Sequence, residues 1–144
     1  MLMTICQHCG KRIPVNTRCD CRKQRNQKYD QYDRSEASKN IYHSKVWPKL
    51  VADCKRRYCG LDAYQTMLTG YPVIARHGIA HHIIEVADDV SQAYDPDNII
   101  FVSAQSHAKI HLVYDSGQAA KKALQAQLQA FAAKKTFLRR AGGV

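Results

Sequence analysis

Four of the seven histidines fall into two pairs. Paired imidazoles can hold a metal ion or move a proton. His81 and His82 are adjacent in "GIAHHIIEV", against a run of isoleucines, and His107 and His111 stand four apart in "SAQSHAKIHLVYDSG". Four residues are about one helical turn, so His107 and His111 leave one helix face. That pair alone is as readily one exposed and one packed histidine, and a lone histidine among isoleucines is more often core than ligand. All four in this order point to a divalent-metal site, for which Zn, Ni, Co or Mn suit imidazoles, and Mg with waters. A second constellation stands at the N-terminus: Cys6-x2-Cys9, nine residues, then Cys19-x-Cys21. Four thiolates are the number a tetrahedral structural zinc requires. The first pair has the common knuckle spacing. The one-residue gap of the second is less usual, and reduced, unliganded thiols are the alternative. In so short a segment apolar burial cannot fix the backbone, so bound Zn2+ would supply the folding energy.

The elements that must position these groups are expected as follows. Residues 1–23 form the Cys-rich head, and residues 24–40 read as a charged linker or solvated arm without Leu, Ile or Val before Ile41. A globular region starts near Ile41. "SKVWPKLVADCKRRY" puts Val46, Trp47, Leu50, Val51 and Cys54 on one helical face, with Ser44 as N-cap and Pro48 in the first turn. "DAYQTMLTG" predicts a short helix with Asp62 and Gln65 as a capping box and Gly70 as its stop. "PVIARHGIAHHIIEV" and "IIFV" predict two strands around a polar loop, and a helix capped by Ser103 then carries His107 and His111. An Ala/Gln/Lys-rich surface helix is expected from Gln118 to Arg140, with Leu124, Leu128, Phe131 and Leu138 on one face, ending at Gly142-Gly143. The class is α+β. Adjacent strand residues point to opposite faces, so His81 and His82 serve one site only if the strand ends or distorts there. Gly78 is the expected source of slack. In a regular strand one of the two is structural.

The order "AHHIIEV", "DNIIFVS", "SHAKIH", with "IYHSKVW" upstream, resembles the phage-type His-Asn-His (HNH) endonucleases of the ββα-metal fold, over roughly residues 41–114. The resemblance implies a ββα-metal nuclease core at 41–114 with flanking helices, and the four-cysteine, zinc-knuckle-like head and charged arm look typical of the same branch; the C-terminal amphipathic helix, at 115–144, is read from its own spacing. It implies that His82 is the general base for water attacking the scissile phosphorus, and that Asn98 orients its ring. His81 and His107, with His111 directly or through water, would hold the catalytic Mg2+, Mn2+, Ni2+ or Zn2+. Cleavage would leave 5′-phosphate and 3′-hydroxyl ends. Many relatives carry two CxxC pairs around the active site. Here Ser103 and Ser106 stand in the places of the second pair, so Cys54 and Cys59 read as buried small hydrophobes. The core then rests on Trp47, Leu50, Leu61, Tyr64, Ile83, Ile99, Phe101 and Ile110.

Charge supports a polyanionic partner: 22 Lys and Arg against 12 Asp and Glu leave a formal +10 over 144 residues. Lys11, Arg12, Arg18, Arg22, Lys23 and Arg25 make the head the densest basic patch. Lys45, Lys49, Lys55, Arg56 and Arg57 form a second on the first core helix, and Lys121, Lys122, Lys134, Lys135, Arg139 and Arg140 either join in or solubilise the tail. Such charges grip phosphates of double-stranded DNA and carry little sequence information. The resemblance adds phage terminase and packaging proteins as candidate partners. No membrane span or secretory signal is evident, so the expected home is a reducing cytoplasm, that of a bacterial host if phage-encoded, with the protein a monomer or weak dimer. Two other readings stay open: a non-catalytic zinc-binding DNA module with scaffold histidines, and a site-specific restriction or mobile-element nuclease.

Overall fold

The computed structural model describes residues 1–7, 9–28 and 35–134. The chain divides into two compact units, Met1–Lys39 and Asn40–Val144. In the first, β1 (Met3–Ile5) pairs antiparallel with β2 (Arg12–Pro14), with Thr4 opposite Ile13. The turn between them is closed by Cys6 N donating to Lys11 O at 2.8 Å and Gly10 N to Cys6 O at 2.9 Å. Gly10 lies at φ 74, where a side chain would be strained. Helix α1 (Cys21–Lys28) follows, starting on a cysteine. Leu2, Met3, Ile5 and Val15 are all exposed, so among the described residues no apolar core holds this hairpin.

The expected linker is largely helical. α1 covers its first residues, and α2 (Glu36–Tyr42) its end. Both lack apolar periodicity, and their straight-chain Gln, Lys, Arg and Glu residues favour helix through rotamer entropy instead. Ser35 Oγ accepts from Ser38 N at 3.2 Å, a local start signal for α2. The intervening residues 29–34 lie outside the described set.

In the second unit, α3 (Trp47–Arg57) and α4 (Ala63–Thr69) precede a two-stranded sheet of β3 (Ile79–His82) and β4 (Ile99–Val102). α5 (Ala104–Ser116) and α6 (Gln118–Lys134) follow, parted by Gly117. Pro48 does sit in the first turn of α3, but the N-cap is Val46, and Ser44 Oγ accepts from Trp47 N at 3.2 Å from one turn earlier. Asp62 caps α4 by accepting from Gln65 N at 3.0 Å, and Gly70 ends it in the left-handed region at φ 74. Ser103 caps α5, accepting from Ser106 N at 3.0 Å.

The expected first strand is cut short. Ile74 makes only an isolated bridge to Leu61, and the chain turns at His77 (φ 51) before β3 begins. Gly78 is needed for space there: a Cβ on it would fall inside the Phe101 ring. All four residues of β4 are buried, since helices cover both its faces, which is why "IIFV" has no polar alternation. The core contains Ile83, Ile99, Ile100, Val102, Ile110 and Leu128, with Trp47, Leu50, Leu61 and Tyr64 half-buried around it. Cys54 is buried as expected, whereas Cys59 is exposed in the left-handed turn (φ 53) after α3. Leu124 and Leu128 of α6 are buried and Phe131 half-buried. Leu138, Lys135, Arg139, Arg140 and the Gly142-Gly143 end lie outside the described residues. No helix among the described residues is long and apolar enough to cross a membrane.

Candidate metal centre

β3 brings His81 to the face covered by α5. There it meets His107 and His111, whose rings leave α5 one turn apart. The ring centroids lie 5.3 Å from His81 to each and 4.4 Å from His107 to His111. The Nε2 atoms of His107 and His111 are 3.1 Å apart, and one donor nitrogen from each of the three rings lies within 4.8 Å of the others. Two bonds of about 2.0–2.1 Å to one tetrahedral ion put their nitrogens roughly 3.3 Å apart, so the spacing fits a shared cation. His81 is 3% exposed, and its Nε2 is a buried polar atom with no hydrogen-bond partner. An orphan of that kind costs about 1–3 kcal/mol and calls for a ligand.

Electrostatics prepares the same groups. Burial, and then the neighbouring imidazoles of His107 and His111, hold His81 well below the usual histidine range. Burial takes His107 down to about 4, helped by His111 and opposed by Glu85. Imidazoles kept neutral are ready ligands.

Glu85, which sequence reasoning passed over, stands behind this trio. Its Oε1 is 3.5 Å from His111 Nδ1, and its Oε2 pairs with Lys121 Nζ at 2.5 Å. Lys121 also pairs with Asp88 at 2.6 Å and lies 5.5 Å from the Tyr114 ring centroid. Tyr114 Oη and Gln125 Nε2 both donate to Ile83 O, at 2.8 and 3.1 Å, so α5 and α6 together pin the chain just after the histidine doublet.

His82 does not join the trio. β3 is regular through the doublet, with His81 opposite Ile100 and His82 opposite Ile99, so the two side chains take opposite faces. β3 does end at His82, as one form of the expectation had it, but its pairing is regular through the doublet, and Gly78 accommodates a ring rather than loosening the strand. His82 is 4% exposed, stacked on Trp47 at 5.0 Å, with Nε2 2.8 Å from Ala93 O and Nδ1 3.3 Å from Tyr42 Oη. A carbonyl only accepts, so Nε2 carries the proton and Nδ1 is the unprotonated nitrogen, accepting from Tyr42 Oη. Burial lowers the basicity of His82, and the Ala93 bond partly restores it.

The expected bond from His82 to Asn98 is also absent. Asn98 Oδ1 accepts from Ile84 N at 2.8 Å, while Nδ2 donates to Ile84 O at 3.0 Å and Gln92 O at 3.3 Å. Asn98 therefore staples both ends of the loop between β3 and β4. Because Ala93 follows Gln92, it reaches His82 only through that loop's carbonyl.

Where the resemblance has a second cysteine pair, Ser106 Oγ and Ser103 N donate to Asp62 Oδ2 at 2.6 and 3.1 Å. Asp62 is 1% exposed, so a hydrogen-bonded carboxylate ties α4 to α5 there.

In the head, Cys6, Cys9, Cys19 and Cys21 come together. Sγ atoms lie 3.6 Å apart for Cys6 and Cys21 and 3.5 Å for Cys9 and Cys19. Zinc–sulfur bonds of about 2.3 Å set tetrahedral sulfurs roughly 3.8 Å apart, so the group fits a structural metal. Crowding among the thiols, first the Cys19 hydrogen bond, pushes Cys21 up to about 12. A cation among them would reverse that penalty.

Of the basic residues, Lys11, Arg12, Arg18, Arg22 and Lys23 in the head are exposed, as are Lys45, Lys49, Lys55 and Arg56 around α3. Arg57 is not a phosphate-binding candidate: it donates to Pro96 O at 2.7 Å and Asp97 Oδ1 at 2.8 Å, with 18% of its side chain exposed. Lys121 is likewise taken by Glu85 and Asp88. The side chain of Arg25 lies outside the described set.

No protein-family model matches the chain, and no curated protein or solved structure does either.

Proposed function

We propose that this protein is a metal-dependent DNA endonuclease whose ion is held by His81, His107 and His111. The observation that carries the reading is the imidazole trio of buried His81 and half-buried His107 and His111, with His81 Nε2 orphaned among the described residues, on the strand–loop–strand–helix frame that the resemblance leads one to expect. A bound dication supplies Lewis-acid charge to a phosphate and its leaving oxygen. The exposed lysines and arginines supply the non-specific grip on the duplex. His82 would take the proton from water at Nδ1, a role supported by the tautomer that Ala93 O imposes, and it requires the chain at the end of β3 to turn the His82 ring from the Trp47 face toward the trio. Tyr42 Oη, now 3.3 Å from Nδ1, stands where that water's oxygen would, so the reading requires it to give way to substrate.

A second reading rests on the other face of β3. If His82 is a core residue packed on Trp47, the trio is a structural metal site in a DNA-binding module. Incubation of supercoiled plasmid with Mg2+, Mn2+ or Ni2+ separates the two. Nicking abolished by EDTA, by His81→Ala and by His82→Ala supports the proposal. Nicking lost in His81→Ala but intact in His82→Ala removes His82 as base. Binding without any nicking leaves the structural reading.

A further inference from the structure

We infer that Glu85, held by Lys121 of the C-terminal helix, is a positioning residue that fixes His111 as a metal ligand; this rests on the metal-centre reading above. His111 has two ring nitrogens with distinct surroundings. Nε2 faces His107 Nε2 at 3.1 Å, and Nδ1 faces Glu85 Oε1 at 3.5 Å. A carboxylate only accepts, so it favours the tautomer with the proton on Nδ1 and leaves the Nε2 lone pair aimed at the ion. The 3.5 Å contact is long for a hydrogen bond, and the inference requires it to shorten when a cation draws charge from the ring.

The carboxylate is well fixed for this task. Its other oxygen is tied to Lys121 Nζ, which is itself held by Asp88. The backbone is held too, because Glu85 O accepts from Asp88 N at 2.9 Å and from Asp89 N at 3.1 Å. Lys121 is 8% exposed, a buried cation that two carboxylates keep in place. This gives α6 a part in the metal centre, although it contributes no ligand.

The test is Ni2+ titration by calorimetry into full-length protein already carrying one equivalent of zinc, which the softer thiolates take first. Glu85→Ala should weaken Ni2+ binding by about ten- to hundred-fold. Glu85→Gln, whose amide oxygen can still accept, should recover part of it. In a His111→Ala background Glu85→Ala should cost nothing further. Imidazole 15N spectra of the nickel-free protein should show His111 as one Nδ1–H tautomer in the wild type and a mixture in Glu85→Ala. Wild-type affinity in Glu85→Ala, or an equal loss with and without His111, would overturn the inference while leaving the metal centre intact. Ni2+ binding unaffected by His81→Ala would instead remove the metal centre, and this inference with it.

Discussion

In the head, a three-residue ladder and the first turn of a helix gather four sulfurs while Leu2, Met3, Ile5 and Val15 face solvent. In the core, three imidazoles sit on β3 and α5, elements that belong to a cluster with Ile83, Ile99, Ile100 and Ile110, all fully buried. The cysteines have little behind them, and the histidines have a hydrophobic core. Metal therefore stands in a different relation to folding in the two units. For the cysteines a bound metal would take the place of a core; for the histidines the core comes first and an ion would fill a prepared site.

The largest expected effect breaks the head alone. If the four thiols hold a structural metal, Cys9→Ser or a strong chelator should release it and abolish amide protection in β1, β2 and α1, since such sites supply about 10–16 kcal/mol. The thermal transition of the core should not move. A head that keeps its protection without metal would erase the contrast. The converse change is Ile110→Ala, which should destabilise the core by about 2–5 kcal/mol in a denaturant titration with the head's zinc content unchanged. Asp62→Ala comes next. It strips the acceptor from Gln65 N, Ser103 N and Ser106 Oγ, and should cost about 3 kcal/mol by the same measurement. A loss below about 0.5 kcal/mol would mean that α4 and α5 do not depend on this staple.

The smallest effect is in pH. His81 and His107 are depressed in the fold, so below about pH 6.5 the unfolded chain binds more protons than the native one. Their contribution is whole above that pH and is lost as pH falls below it, for His107 through about 4. The metal-free core should accordingly melt at lower temperature at about pH 5 than at about pH 7.5, and His107→Ala should flatten part of that slope. An equal slope in the variant would place the pH dependence elsewhere.

Local signals in the chain were sufficient wherever the interaction is local. Asp62, Gly70 and Ser103 begin or end their helices as read, because a cap bonds within four residues of itself. His107 and His111 share a face because a helix repeats every 3.6 residues. The cysteine spacing likewise brought together two thiols of the hairpin turn, Cys19 just before α1 and Cys21 at its start. The helices on either side of residues 29–34 were missed, since neither has an apolar stripe to betray it.

Long-range geometry decided the rest. That His81 meets α5 while its neighbour turns to Trp47 depends on which faces of β3 the helices cover. Asn98 closes a loop instead of orienting His82, Arg57 clamps Asp97 instead of facing phosphate, and Glu85 meets Lys121 across 36 residues of chain. A residue's type states which bonds it is able to make. Only the packed chain, by excluding water from one side of each group, selects the partner it keeps.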